Sequence, residues 1–197
     1  MSETIDLRAF RDSRTAPVLV LLDIHVGQAE APGARAVLEK CDALLARARA
    51  EGWPIGFVRP VRFSEDGRAW TPRWLESFAP RRADMVFDRH RPSCYASADF
   101  ADAITGSGGA FALAGFFGNT AGLSTLSDAF HHGHRVTFLF DACASETLPG
   151  FAPADSQRAL AAMAGGYSDS ATAEKWIEAT GKVQQEKKER GILSAAR

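Results

Sequence analysis

Apolar positions along this chain fall into two alternating patterns. Val18-Leu19-Val20-Leu21-Leu22 is a short, unbroken apolar run that stops at Asp23, which predicts a strand buried on both faces. After Pro32-Gly33, residues Val37, Leu38, Cys41, Leu44, Leu45 and Ala48 recur at helical spacing as far as Gly52. That stripe predicts an amphipathic helix closed by glycine, with Cys41 in the core. Pro54-Ile55-Gly56-Phe57-Val58 predicts a second strand and Met85-Val86-Phe87 a third. Ser97 to Ile104 reads as a helix, Ala110 to Ala114 as a strand, 120–132 as a helix, and Arg135 to Phe140 as a strand ending at Asp141. A helix is expected after Pro153, with Leu160 and Met163 buried, and a short strand after Gly165-Gly166-Tyr167. A final helix opens around Ser170-x-x-Ala173-Glu174 with a weak cap signal. Residues 1–16 are polar with room for a short helix, and the charged stretch 182–190 reads as an exposed or frayed helix end. A strand and a helix thus alternate about five times, the signature of a mainly parallel sheet with helices on both faces.

Composition narrows the class. The chain has 197 residues, 46% of them hydrophobic and 24% charged, which fits one soluble domain spanning 1–197. A net charge of −1 gives no electrostatic case for nucleic acid or an anionic membrane. The local cluster Arg81, Arg82, Arg89 and Arg91 reads mostly as a solvated face. Cys41, Cys94 and Cys143 show neither paired nor metal-ligand spacing, which points to a reducing, cytoplasmic setting. There is no basic-then-apolar leader, no run of membrane-span length and no internal repeat.

Candidate chemistry gathers at strand ends. Ligands of open α/β sheets sit beyond the carboxyl ends of the strands, so Asp23 is a site candidate, with a helix cap or loop acid as the plainer alternative. The stretch Gly115-Phe116-Phe117-Gly118-Asn119-Thr120-Ala121-Gly122 follows an apolar strand and opens a helix. Such a turn offers backbone N–H groups and a positive dipole end to a nucleophile or oxyanion; it also occurs as an ordinary α/β connection. Residues 59–83 are long for a plain connection and carry Trp70 and Trp74, either pocket walls or anchors of the loop. His131, His132 and His134 surround Gly133 at a helix end, where capping is a better reading than metal binding.

With these residues placed, the chain resembles the isochorismatase-like (cysteine hydrolase) family over nearly its whole length. Four segments carry the resemblance: Leu21-Leu22-Asp23-Ile24-His25; Arg89-x-x-x-Ser93-Cys94-Tyr95; Leu113-Ala114-Gly115 with the loop and Thr125-Leu126-Ser127-Asp128-Ala129; and Gly133 to Ala142. The resemblance implies a three-layer α/β/α sandwich, no cofactor, a small-molecule substrate and a homo-oligomer. It also implies an Asp, Lys and Cys triad in which a thiolate attacks an amide-type carbon. Asp23 matches the Asp, but Arg89 falls on the Lys position and Ala121 on the nucleophile position. The loop Phe117, Gly118 and Ala121 would supply the oxyanion donors, with a cis peptide expected between Phe116 and Phe117. His25, Trp70, Trp74 and Tyr95 are the expected substrate-binding residues. The metal-binding Asp-x-His segment of related nicotinamidases is missing between Val58 and Arg82, so no metal is expected.

Alanine has no nucleophile, and three readings stay open. The chain is a hydrolase of a small amide, carbamoyl or related C–N substrate whose cysteine has been replaced at Ala121, naturally or by engineering. Or it is a cysteine-independent hydrolase of the isochorismatase type, with Asp23 acting as acid on a vinyl ether. Or it is a non-catalytic, ligand-binding member. Arginine stays charged near neutral pH, so Arg89 can bind or orient but cannot shuttle protons. Cys94 and Cys143 are the remaining thiols near strand ends, and each reads better as a packed core residue.

Overall fold

A computed structural model describes residues 16–30, 33–146 and 149–195; the helix expected within residues 1–16 lies almost wholly outside them. The unbroken apolar run forms β1 (Val18–Leu22), every residue of which is buried. The helical stripe forms α1 (Ala34–Glu51), which buries Val37, Cys41, Leu44, Leu45 and Ala48 and ends at Gly52 in the left-handed conformation. β2 (Ile55–Pro60) follows, then a short hairpin of β3 (Arg62–Phe63) and β4 (Ala69–Trp70), then β5 (Met85–Arg89). The second half holds α2 (Phe100–Gly106), β6 (Ala110–Gly115), α3 (Leu123–His131), β7 (Arg135–Cys143), α4 (Pro153–Ala164), β8 (Asp169–Ala171) and α5 (Ala173–Ala195).

The six longer-range strands form one sheet in the order β5-β2-β1-β6-β7-β8, and every neighbouring pair is parallel. Side chains alternate across it. Leu19, Leu21, Ile55, Phe57, Ala112 and Leu139 face α1 and α5, where Trp53 and Trp176 meet edge to face at 5.4 Å. Val18, Val20, Leu22, Val58, Phe111 and Phe138 face α2, α3 and α4. The result is the expected three-layer α/β/α sandwich. Fully burying each large apolar side chain contributes ~1.5–3 kcal/mol, so the two clusters hold the layers together.

Several local expectations are corrected. β5 runs on to Arg89, because the pairs Arg59↔Asp88 and Pro60↔Arg89 continue the ladder past the apolar triplet. Ser93 Oγ accepts from Tyr95 N, so a single tight turn Cys94–Ala96 comes first and α2 begins only at Phe100. The helix expected over 120–132 starts as a wider turn, Gly118–Gly122, in which Gly122 N reaches back five residues to Phe117 O at 3.0 Å. Met163 is 46% exposed, since α4 packs through Ser156, Leu160 and Ala164, one turn apart. Thr172 caps α5 by accepting from Lys175 N, while Ser170 lies in β8. The charged stretch 182–190, by contrast, is a helix end, one of its two expected readings, and continues α5.

Candidate functional site

The chain leaves central β1 toward β2 on one side and returns beside it as β6 on the other. That change of direction opens a crevice at the carboxyl ends of β1 and β6, the usual ligand site of such sheets. Leu22 pairs with Gly115 at its rim, and Asp23 N donates to Val58 O at 2.8 Å. Asp23 and Phe117 are the two non-glycine residues with positive φ among the described residues, at 55° and 58°. Such backbone costs about 1–3 kcal/mol per residue and persists where surroundings impose it, often at functional sites. Here Gly115 imposes part of it. At φ 128° it lies so close to β1 that a Cβ would fall 2.1 Å from Leu22 O.

Asp23 is fully buried, and Arg89 at the end of β5 donates from Nη2 to its Oδ2. Arg89 Nη1 donates to Arg91 O at 2.7 Å, which fixes the guanidinium plane. Asp23 Oδ1 and Arg89 Nε are buried without a partner. Burial pushes the Asp23 carboxyl up to about 6, against the charge and hydrogen bond of Arg89 and the charge of Arg62. The carboxyl can therefore exchange a proton near neutral pH, which an ordinary surface aspartate cannot.

The other wall is the turn after β6. No cis peptide occurs among the described residues, so the expected Phe116–Phe117 cis bond is replaced by the positive φ values of Gly115 and Phe117. Thr120 N and Gly122 N both donate to Phe117 O. Gly118 N donates to Ala144 O at 2.9 Å, which removes it from the expected oxyanion donors. The Phe117 N–H makes no hydrogen bond among the described residues. Buried Thr125 donates from Oγ1 to Ala121 O at 2.7 Å and accepts from Cys94 N at 3.0 Å, joining this turn to the segment after Arg89. Asp23, Arg89, Phe117, Thr120 and Ala121 line one cavity of about 250 Å³, with Arg62 at its edge.

The remaining expected site residues lie elsewhere. The Tyr95 ring stacks on His132 at 4.6 Å, and its hydroxyl meets His134 Nδ1 at 2.7 Å, away from the Asp23 cavity. His134 Nε2 meets Thr105 Oγ1, so the His132 and His134 rings make packing contacts, while the backbone N–H groups of His132, Gly133 and His134 donate to Asp128, Phe130 and Ala129 O and close α3 at the expected helix stop. Trp74 packs edge to face on Phe57 with Arg59 over its ring, and so anchors its loop. Trp70 and His25 line a separate, neighbouring cavity. His25 is buried with both ring nitrogens unpartnered; burial, then the charges of Arg62 and Arg89, bring its imidazole down to about 4. Cys94 and Cys143 are buried, and burial raises both thiols, Cys94 to about 12. Neither is a substitute nucleophile. Arg62, common to both cavities, was not singled out from sequence; the only sign of it was its place in the long 59–83 loop.

No helix among the described residues is long and apolar enough to cross a membrane, and no group of three or more metal-ligating side chains forms among them.

No functionally curated protein matches the chain. Among solved structures, the chain is similar to a cysteine hydrolase from Pseudomonas syringae pv. phaseolicola 1448A, at 20% identity over 93% of this chain and 97% of the other, with TM-score 0.75. It is similar to an isochorismatase from Pseudomonas putida KT2440 at 21% identity, covering 89% and 99% of the two chains, with TM-score 0.71. It also resembles an N-carbamoylsarcosine amidase from Thermoplasma acidophilum at 18% identity, covering 81% and 97%, with TM-score 0.64. These likenesses establish the fold. The family follows from sequence: the isochorismatase domain model matches residues 17–175, a span that holds Asp23, Arg89 and Ala121 together with every strand of the sheet. The chain belongs to the isochorismatase family of hydrolases.

Proposed function

We propose that this chain is a cysteine-independent hydrolase of a small polar molecule, with Asp23 as its proton-transfer group and a vinyl ether as the bond it breaks. The observation that carries the reading is the chemistry of one cavity. A buried carboxyl, raised to about 6 and held by Arg89, shares its space with the Ala121 methyl group, where a covalent route would need a thiol. Protonated Asp23 gives its proton to the terminal vinyl carbon, and the adjacent carbon becomes an oxocarbenium centre. Water adds there and returns a proton to Asp23. The resulting hemiketal collapses to a ketone and an alcohol. Arg89 keeps the carboxyl oriented throughout, because its own proton does not leave.

A second reading is favoured by the free Phe117 N–H beside Ala121: a C–N hydrolase cradle that lacks its nucleophile. One experiment separates the two. Pyruvate release from isochorismate, as the enolpyruvyl ether, is measured beside ammonia release from amides and carbamoyl compounds, for the chain and for Ala121→Cys, each with and without Asp23→Asn. The proposal expects pyruvate release by the chain itself, reduced about 100-fold or more by Asp23→Asn. Ammonia release confined to Ala121→Cys would replace it with the second reading. No turnover in any variant would leave a ligand-binding member of the family and sink both.

A further inference from the structure

The backbone of Arg89 is fixed by the sheet: Pro60 pairs with it in the ladder, and Val61 N donates to its carbonyl at 2.6 Å. Its guanidinium is placed by something else. Nη1 donates to Arg91 O at 2.7 Å, so the plane that meets Asp23 depends on where the strap from His90 to Ser93 holds that carbonyl. The strap ends in the tight turn Cys94–Ala96, and side chains of other elements tie that turn down. Thr125 Oγ1 accepts from Cys94 N at 3.0 Å. At the next residue, the Tyr95 hydroxyl meets His134 Nδ1 at 2.7 Å, while the Tyr95 ring stacks on His132 at 4.6 Å and meets Phe100 edge to face at 5.0 Å.

The direction of the Tyr95 bond follows from its neighbours. Thr105 Oγ1, 3.0 Å from His134 Nε2, directs its own hydrogen to Ala101 O at 2.9 Å. It can therefore only accept from His134, which puts the imidazole proton on Nε2 and leaves Nδ1 as an acceptor. The Tyr95 hydroxyl is the donor to it; burial, followed by the neighbouring Cys94 and Asp128, keeps that hydroxyl protonated. Burial and then the charge of His132 bring the His134 imidazole below its usual range, so the neutral form that can accept is the one present at neutral pH. One imidazole thus joins α2, through Thr105, to the turn after Arg89, through Tyr95.

We propose that Tyr95 and His134 are positioning residues for the Asp23–Arg89 pair: their hydrogen bond fixes the turn Cys94–Ala96, and with it the Arg91 carbonyl that aims the Arg89 guanidinium at the Asp23 carboxyl. Neither residue lines the Asp23 cavity, but Pro92, between Arg91 and the turn, does, so the strap they hold is also a wall of the site. The inference rests on the reading of Asp23 as the proton-transfer group and assigns the tuning of its proton to a bond outside the cavity. Releasing the turn lets the guanidinium leave its plane. Its charge and hydrogen bond then weaken on Asp23, and burial raises the carboxyl further.

The test reads Asp23 itself, by carbon NMR of its carboxyl through a pH titration, with Asp23→Asn to assign the signal. No substrate is needed, so a chain that turns over nothing still gives an answer, and failure of the proposed reaction is a separate result. Tyr95→Phe keeps the ring contacts and loses the bond; the Asp23 midpoint should rise by about one pH unit. Two substitutions divide the imidazole. His134→Asn sets an amide oxygen near the place of Nδ1 and keeps an acceptor for Tyr95, so it should hold the midpoint close to that of the unmodified chain. His134→Gln sets its amide nearer the place of Nε2, keeps the Thr105 contact and loses Tyr95, so it should match Tyr95→Phe. This pair carries the test if Tyr95→Phe fails to fold. Nitrogen NMR of the unmodified chain should find the His134 proton on Nε2. A merely structural role would lower the melting temperature of the variants and leave the Asp23 titration where it was. The proposal is overturned by that result, by equal Asp23 midpoints in His134→Asn and His134→Gln, or by an imidazole proton on Nδ1.

Discussion

Arg89 and Asp23, 66 positions apart in sequence, form a buried ion pair at the ends of β5 and β1. β2 lies between those two strands, so the guanidinium reaches across a strand end to the carboxyl. The pair is a single unit energetically: removing one member leaves the other charged and without its partner in a site that water does not solvate.

Arg89→Met should therefore destabilise the protein by about 3 kcal/mol or more, read as a lower urea midpoint. Asp23→Asn with Arg89→Met should recover much of that loss, since no isolated charge remains. An additive double variant would mean that the two residues do not act as a pair.

Asp23 and His25 should give opposite pH dependences of stability. The Asp23 carboxyl, at about 6 when folded against 3.8 otherwise, binds protons more readily in the folded chain, so its contribution is full below about pH 4 and is lost as pH rises through 6. The His25 imidazole, at about 4 against 6.5, contributes fully above about pH 6.5 and is lost as pH falls through 4. Each is on the order of 3 kcal/mol across its window, so the two largely cancel between pH 4 and 6. Chemical denaturation across that range should show stability falling with pH in His25→Phe and rising with pH in Asp23→Asn. The same slope in both variants would contradict the assignment.

Gly115→Ala should be among the most damaging single changes. Its Cβ would overlap Leu22 O at 2.1 Å, backbone that cannot move without separating β1 from β6, and φ 128° is foreign to alanine. The expected loss is at least about 4 kcal/mol, or failure to yield soluble protein. A near-normal melting temperature would show that the two strand ends are further apart.

Thr125→Val removes the bridge between Ala121 O and Cys94 N while keeping the shape of the side chain, and leaves a buried amide unpaired. About 1–3 kcal/mol should be lost, with Thr125→Ser retaining most of it. Thermal melting of the two variants makes the comparison.

None of Cys41, Cys94 and Cys143 should react with a thiol reagent in the folded protein, because all three are buried and burial raises each thiol. Ala121→Cys should add one reactive thiol at the Asp23 cavity. Labelling of the unmodified chain at native rates, followed by mass mapping, would refute this.

The sequence by itself determined the layers and the place of the acid. The short unbroken run Val18–Leu22, rich in branched residues, reads as a strand covered on both faces, and the stripe from Val37 to Ala48 as a helix with one buried side, and both form. Periodicity is a local property of the chain, so alternating such elements implies a parallel sheet, and a carboxylate at the end of its first strand is already at the ligand edge. The family motifs also located Arg89 and Ala121. Tertiary structure decided everything that depends on where loop side chains turn. It brought Arg89 onto Asp23, sent Tyr95 to His132 and His134, packed Trp74 on Phe57, and left His25 buried without a partner beside Arg62 and Trp70. It also replaced the expected cis bond with positive φ at Gly115 and Phe117. Polar loop residues carry no burial period, and their contacts are set by strand order and backbone hydrogen bonds between segments 20 to 70 residues apart, as in Val26 N with Arg73 O and Asp23 N with Val58 O.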